Sequence, residues 1–176
     1  EQALKDPLTR CHNRRFMDEY LAQFEKLNQR NERKIGFIMA DLDHFKMVND
    51  EFGHLAGDEV LKQLAEIIRQ TVRKSDVLIR YGGEEFLIML IEIEKDGVSA
   101  EVAEKIRKAV EEAKLKLPSG GFLKKTLSMG VAEYPKDGDQ LYQVIKYADV
   151  ALYQAKQKGR NRVLPFTQEM WETEEY

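Results

Sequence analysis

Apolar residues fall into short runs and into periodic stripes along this chain, and the two patterns predict different elements. From Ile35 the sequence reads Ile35-Gly36-Phe37-Ile38-Met39-Ala40-Asp41-Leu42-Asp43, an apolar run that stops at two carboxylates one residue apart. A run this short and continuous fits a strand buried on both faces. Val77-Leu78-Ile79 and Phe86-Leu87-Ile88-Met89-Leu90-Ile91 flank the turn Tyr81-Gly82-Gly83-Glu84-Glu85. That arrangement predicts a β-hairpin over 76–92, with the glycines taking positive φ at its tip. Leu127, Met129 and Val131 alternate with smaller residues as a further strand, and Arg162-Val163-Leu164 makes a short last one.

The stripes have helical spacing. Phe16, Tyr20, Phe24 and Leu27 form one face over 13–30, and Val60, Leu61, Leu64, Ala65, Ile68 and Val72 one over 57–72. Val102, Ala103, Ile106, Ala109, Val110 and Ala113 predict a helix over 101–117, ended by Pro118-Ser119-Gly120-Gly121. Leu141, Val144, Ile145, Ala148 and Leu152 predict another over 140–158, stopped by Gly159, while His44 to Gly53 reads as a short polar connection. The order α β α β β α β α β gives an α/β fold: a mixed central sheet of about five strands flanked by helices.

Composition narrows the class. At 176 residues, 43% hydrophobic and 34% charged, the chain suits one domain over 1–176 with a full core. Residues 1–5 have helix-forming composition and read either as the end of a linker helix, which would make the chain the output domain of a longer protein, or as an ordinary N-terminal helix stub. The net charge of −3, with signs mixed, excludes the electrostatic footprint of a nucleic-acid polymer partner. The single Cys11 forms no internal disulfide, and no apolar run approaches the ~20 residues of a membrane span, so a cytoplasmic location is expected. The acidic stretch Glu172 to Glu175 is expected to fray.

The chemistry gathers at strand ends, where side chains are rigidly held yet accessible. If the hairpin pairs beside strand 35–43, Asp41, Asp43, Glu84 and Glu85 converge. Such a cluster repels itself and is expected to hold a hard cation, with Mg²⁺ and phosphate the usual company. Taken alone, the glycine turn also suits a plain soluble hairpin, and Asp58 after Gly57 also suits the start of a helix.

Several separated motifs extend the picture. Asp41-Leu42-Asp43-His44-Phe45-Lys46-Met47-Val48-Asn49-Asp50, Phe52-Gly53-His54, Gly57-Asp58 and Gly82-Gly83-Glu84-Glu85-Phe86 resemble the GGDEF family of diguanylate cyclases. So do Asp6-x-Leu8-Thr9, Asn13-Arg14-Arg15 and Tyr153-x-Ala155-Lys156-x-x-Gly159-Arg160-Asn161, which together cover nearly the whole chain. The resemblance implies a palm-like nucleotidyl-cyclase fold and a homodimer that condenses two GTP into cyclic di-GMP and two pyrophosphates. It implies two Mg²⁺ per active site, held by Asp41, Glu84 and the carbonyl of Leu42, with Glu85 either assisting deprotonation of the attacking 3′-hydroxyl or serving as a further metal ligand. Asn49 and Asp58 would recognise guanine, Phe45 and His54 would line the substrate site, and Lys46, Lys156 and Arg160 would meet phosphate. Arg73 and Asp76 match the family's Arg-x-x-Asp inhibitory site for the product, and a missing N-terminal sensory or regulatory domain is implied too. Where the family most often has Leu-Thr-Gly-Leu, this chain has Leu8-Thr9-Arg10-Cys11. The alternatives are a non-catalytic module binding GTP or cyclic di-GMP, and a palm-fold cyclase that uses ATP.

Overall fold

The computed structural model describes residues 3–28 and 33–173. Its centre is β1 (Ile35–Leu42), buried at every residue. It pairs antiparallel with β3 (Glu85–Ile91) on one side and with β6 (Leu127–Tyr134) on the other. β2 (Val77–Arg80) lies antiparallel outside β3, and β7 (Arg162–Pro165) lies parallel outside β6, giving a five-stranded sheet ordered β2-β3-β1-β6-β7.

Successive strand side chains point to opposite faces, so β1 feeds two cores. Ile38, Ala40 and Leu42 enter one with α3 (His54–Thr71) and α4 (Val98–Glu112). Ile35, Phe37 and Met39 enter the other with α1 (Arg14–Leu27) and α5 (Leu141–Gln157). Cover on both faces is what the unbroken apolar runs require. α5 sits directly on β6 at Gly130, where a β-carbon would lie 2.1 Å from the Ala148 carbonyl oxygen, so only glycine lets the helix approach this closely. The last described element is α6 (Gln168–Thr173).

Several expectations shift in position. α1 buries Met17, Leu21 and Phe24, while Leu27 is 65% exposed. Phe16 instead stacks on His12 at the rim, with ring centroids 3.7 Å apart. Asn13 caps α1 by accepting the Phe16 N–H, and the helix ends at Leu27; positions 29 and 30 lie outside the described residues. The segment after Asp43 is a helix, α2 (Phe45–Phe52), entered through His44 at φ 56° and left through Gly53 at φ 91°. Its two buried residues, Phe45 and Val48, make too short a stripe to read in advance.

Residues 113–117 leave the helix. β4 (Leu115–Lys116) pairs with β5 (Phe122–Leu123), because Gln63 of α3 binds both the N–H and the carbonyl of Lys116 at 2.8 Å. Of the residues read as a linker helix, 1 and 2 lie outside the described residues and 3–5 are not helical, with Lys5 bridging to His12. Glu172 and Thr173 belong to α6, and 174 and 175 lie outside the described residues. No helix among the described residues is long and apolar enough to cross a membrane.

Candidate active site

The register places Asp41 opposite Glu85, so β1 and β3 bring their functional ends together. The hairpin tip is built differently from the expected turn, since neither Gly82 nor Gly83 takes positive φ. Instead the N–H groups of Tyr81 and Gly82 both donate to the Glu85 carbonyl, at 2.8 and 3.2 Å. Two nitrogens of Arg80 donate to the Gly83 carbonyl at 2.8 and 3.2 Å. Arg80 also reaches both oxygens of Asp6 at 3.1 Å, and Asp6 accepts from the Thr9 N–H and hydroxyl at 2.8 and 2.7 Å. The Asp6-x-Leu8-Thr9 motif thus fixes Arg80, which fixes the tip. Burial raises the Asp6 carboxyl, but Thr9 and Arg80 outweigh it and the net shift is downward. Sequence reasoning missed Arg80, because one arginine at a strand end carries no periodic signal. Arg14 lies 4.0 Å from the Tyr81 ring centre and braces the other side of the tip.

Asp41 is 7% exposed. Its Oδ2 accepts from Lys156 of α5, while no donor group reaches its buried Oδ1 and its carboxyl lies within hydrogen-bond reach of the Glu84 carboxyl. Burial pushes its carboxyl up against the opposing pull of Lys156. Burial also raises Glu84, followed by repulsion from Asp41; for Glu85 burial comes first, then Asp149 and Asp41. Two neighbouring carboxyls, with Asp41 raising Glu84 and one Asp41 oxygen buried without a donor, fit a divalent cation. The donor chemistry is right for Mg²⁺, which takes one or two carboxylates and completes its shell with water and phosphate oxygens. Leu42, the expected carbonyl donor, closes β1.

Asp43 does not join this set. It is 4% exposed and accepts from Thr126 Oγ1 and Ser128 Oγ at 2.6 Å each and from the Asn161 N–H at 3.0 Å. Its oxygens tie β1 to β6 and to the α5–β7 turn, which corrects the expected convergence of Asp43 with the other carboxylates. Among the described residues no three or more His, Cys, Asp or Glu side chains gather as a metal site. The candidate set is therefore Asp41 and Glu84 with the Leu42 carbonyl.

Beside it, a cleft of about 310 Å³ opens between α2, α3 and the hairpin tip, lined by Phe45, Lys46, Asn49, His54, Asp58 and Glu84 among others. Neither Asn49 nor Asp58 is a cap: Asn49 lies inside α2, and Asp58 in the second turn of α3, whose N-cap is Gly53. Gly57 makes room for the amide, since a β-carbon there would lie 1.9 Å from Asn49 Oδ1. Lys46 pairs with Asp50 at 3.3 Å, an exposed i,i+4 contact that a ligand displaces easily. Lys156 lies on Asp41, and Arg160 follows in the turn after α5, its guanidinium making no hydrogen bond or ion pair among the described residues.

Arg73 and Asp76 follow α3, which ends at Thr71. Asp76, its side chain 2% exposed, accepts from the Arg73 N–H at 2.9 Å, from Arg73 Nη2 at 2.8 Å and from the Ile91 N–H at 3.1 Å. Arg73 Nη2 also donates to the Ile91 carbonyl at 2.6 Å. The pair locks the start of β2 to the end of β3 and borders a second cleft of about 310 Å³ against α4.

A mixed five-stranded sheet, helical on both faces, with carboxylates at the ends of its central strands, has the palm-like architecture of a nucleotidyl cyclase domain. The chain belongs to the GGDEF family: the model described as diguanylate cyclase, GGDEF domain, matches residues 3–162. It is 43% identical over 139 residues to diguanylate cyclase A of Treponema denticola, covering 78% of this chain and 37% of that protein. It is 38% identical over 167 residues to diguanylate cyclase DosC of Escherichia coli K12, covering 94% of this chain and 35% of that one. The chain thus spans little more than a third of these relatives. Among solved structures, the GGDEF domain of DgcB from Caulobacter crescentus, in complex with c-di-GMP, superposes with a TM-score of 0.85 at 36% identity, covering 94% of each chain.

Proposed function

We propose that this domain is an Mg²⁺-dependent diguanylate cyclase that condenses two GTP into cyclic di-GMP between two copies, each holding one nucleotide. In each half-reaction a ribose 3′-oxygen bonds to the α-phosphorus of the other GTP, the bond to the β-phosphate breaks, and pyrophosphate leaves. The hydroxyl proton passes to a base, for which Glu85 is the candidate. The observation that carries the reading is the orphaned, buried Oδ1 of Asp41 beside Glu84, at the mouth of a cleft holding an amide and a carboxylate. When bound, Mg²⁺ supplies charge neutralisation on the phosphates; Asp41, Glu84 and the Leu42 carbonyl would hold it.

Asn49 and Asp58 select guanine through complementary donors and acceptors, with Phe45 and His54 beside the nucleotide. Lys46, Lys156 and Arg160 meet the phosphates. Arg73 and Asp76 form the inhibitory site for the product. The domain works in the cytoplasm as the output unit of a longer chain whose N-terminal part regulates its pairing. The test is incubation of the purified domain with GTP and Mg²⁺, with products separated by chromatography. Cyclic di-GMP from GTP and nothing from ATP is the expected result; a folded domain that binds GTP without forming product would instead be a binding module.

A further inference from the structure

The turn that carries Arg160 is governed from α4. Gly159, Arg160 and Asn161 take φ of 121°, 64° and 45°, three left-handed residues in succession. Non-glycine residues stay in that region only where their surroundings over-determine them. Asn161 provides the constraint through its N–H and both polar atoms of its side chain: the N–H donates to Asp43 at 3.0 Å, Nδ2 donates to Glu111 Oε2 at 2.6 Å, and Oδ1 accepts from Arg107 Nη1 at 2.8 Å. Arg107, its side chain 14% exposed, is fixed in turn by paired bonds to Glu104 at 2.7 and 2.8 Å and a contact to Glu111 at 3.3 Å. Such a forked, charge-assisted arrangement has one geometry. Against this, the neighbouring Arg160 side chain has no partner among the described residues.

We infer that Glu104, Arg107 and Glu111, acting through Asn161, form a clamp that aims Arg160 at the triphosphate. They are positioning residues and touch no substrate; the inference rests on the phosphate role proposed for Arg160. A long cation on a left-handed turn binds phosphate productively only if the turn is already in place, since otherwise ordering it is charged against binding. The clamp also closes on Asp43 of the β1 end, so the aiming is referred to the strand that bears Asp41.

A double-mutant cycle on GTP affinity, measured by calorimetry in Ca²⁺ to prevent turnover, decides the matter. Arg160→Ala should weaken GTP about tenfold, the usual size for losing a charge-assisted phosphate contact. Arg107→Gln should weaken it severalfold with the preference for GTP over ITP unchanged, and the double variant should bind no worse than Arg160→Ala alone. Additive losses, or wild-type GTP affinity in folded Arg107→Gln protein, overturn the clamp. Where Arg107→Gln does not fold, Glu111→Gln replaces it, since it removes one acceptor and should give the same non-additivity. Unchanged affinity in Arg160→Ala overturns the phosphate role of that residue and the purpose of the clamp with it.

Discussion

At the level of single residues, Glu84 is the sharpest probe. Glu84→Gln keeps the shape of the tip and removes a carboxyl that burial and its neighbour Asp41 both raise. Product formation should fall below detection while the melting temperature of the metal-free domain stays level or rises; turnover and a melt on one preparation check both. The same pair sets a pH dependence. Because the folded state raises Asp41, Glu84 and Glu85, it holds more protons than the unfolded chain in the range above the ordinary carboxylate values. These groups therefore subtract stability as pH climbs through that range. Asp6 works in the opposite sense, adding stability above its unfolded value and losing it on acidification. Denaturant titrations between about pH 4 and 8, in chelator, should show a steeper decline towards high pH in wild type than in Glu84→Gln.

Among elements, the hairpin tip depends on a brace that starts in the N-terminal turn. Arg80 and Asp6 are each under one-fifth exposed, and their pair carries the Gly83 carbonyl. Arg80→Ala should cost about 1–2 kcal/mol of stability, the size of a lost charge-assisted contact, and lower turnover more than tenfold by loosening Glu84 and Glu85. Arg80→Lys should restore less than half of the lost activity, since an ammonium cannot fork between Asp6 and Gly83; unfolding curves and rates check both variants. This brace shows where the sequence was legible. The runs of β1, β3 and β6 were readable because cover on both faces leaves an unbroken apolar string, and their pairing placed Asp41 beside Glu85 as expected. The tip was readable as a turn but not as this turn: its geometry comes from Arg80 and the Glu85 carbonyl, contacts that no local spacing encodes. α2 and the β4–β5 pair were missed because each is shorter than a helical or alternating pattern needs to declare itself. Asp43, which sequence grouped with the cation site, was claimed by Thr126, Ser128 and Asn161, the nearest of them 83 residues away along the chain.

For the whole molecule, two outcomes follow from the proposed pairing of copies. Activity per protomer should rise with protein concentration, because each copy supplies half of the reaction site; rates across a dilution series check this. Arg73→Ala should delay the flattening of progress curves by product at a nearly unchanged initial rate. Asp76→Ala is a poorer probe, since Asp76 anchors the Ile91 N–H and the Arg73 N–H and its loss should lower the melting temperature. Finally, the contact between Lys156 and Asp41 means that the resting site already carries a counter-ion of its own. Loading with the proposed metal would then be an exchange of one cation for another rather than the filling of a gap. Under the proposed function, free magnesium would have to compete with a tethered ammonium, whereas magnesium arriving with GTP would offer that ammonium a triphosphate to move to. On the proposed reading, such a domain would respond to the supply of nucleotide more than to swings in magnesium.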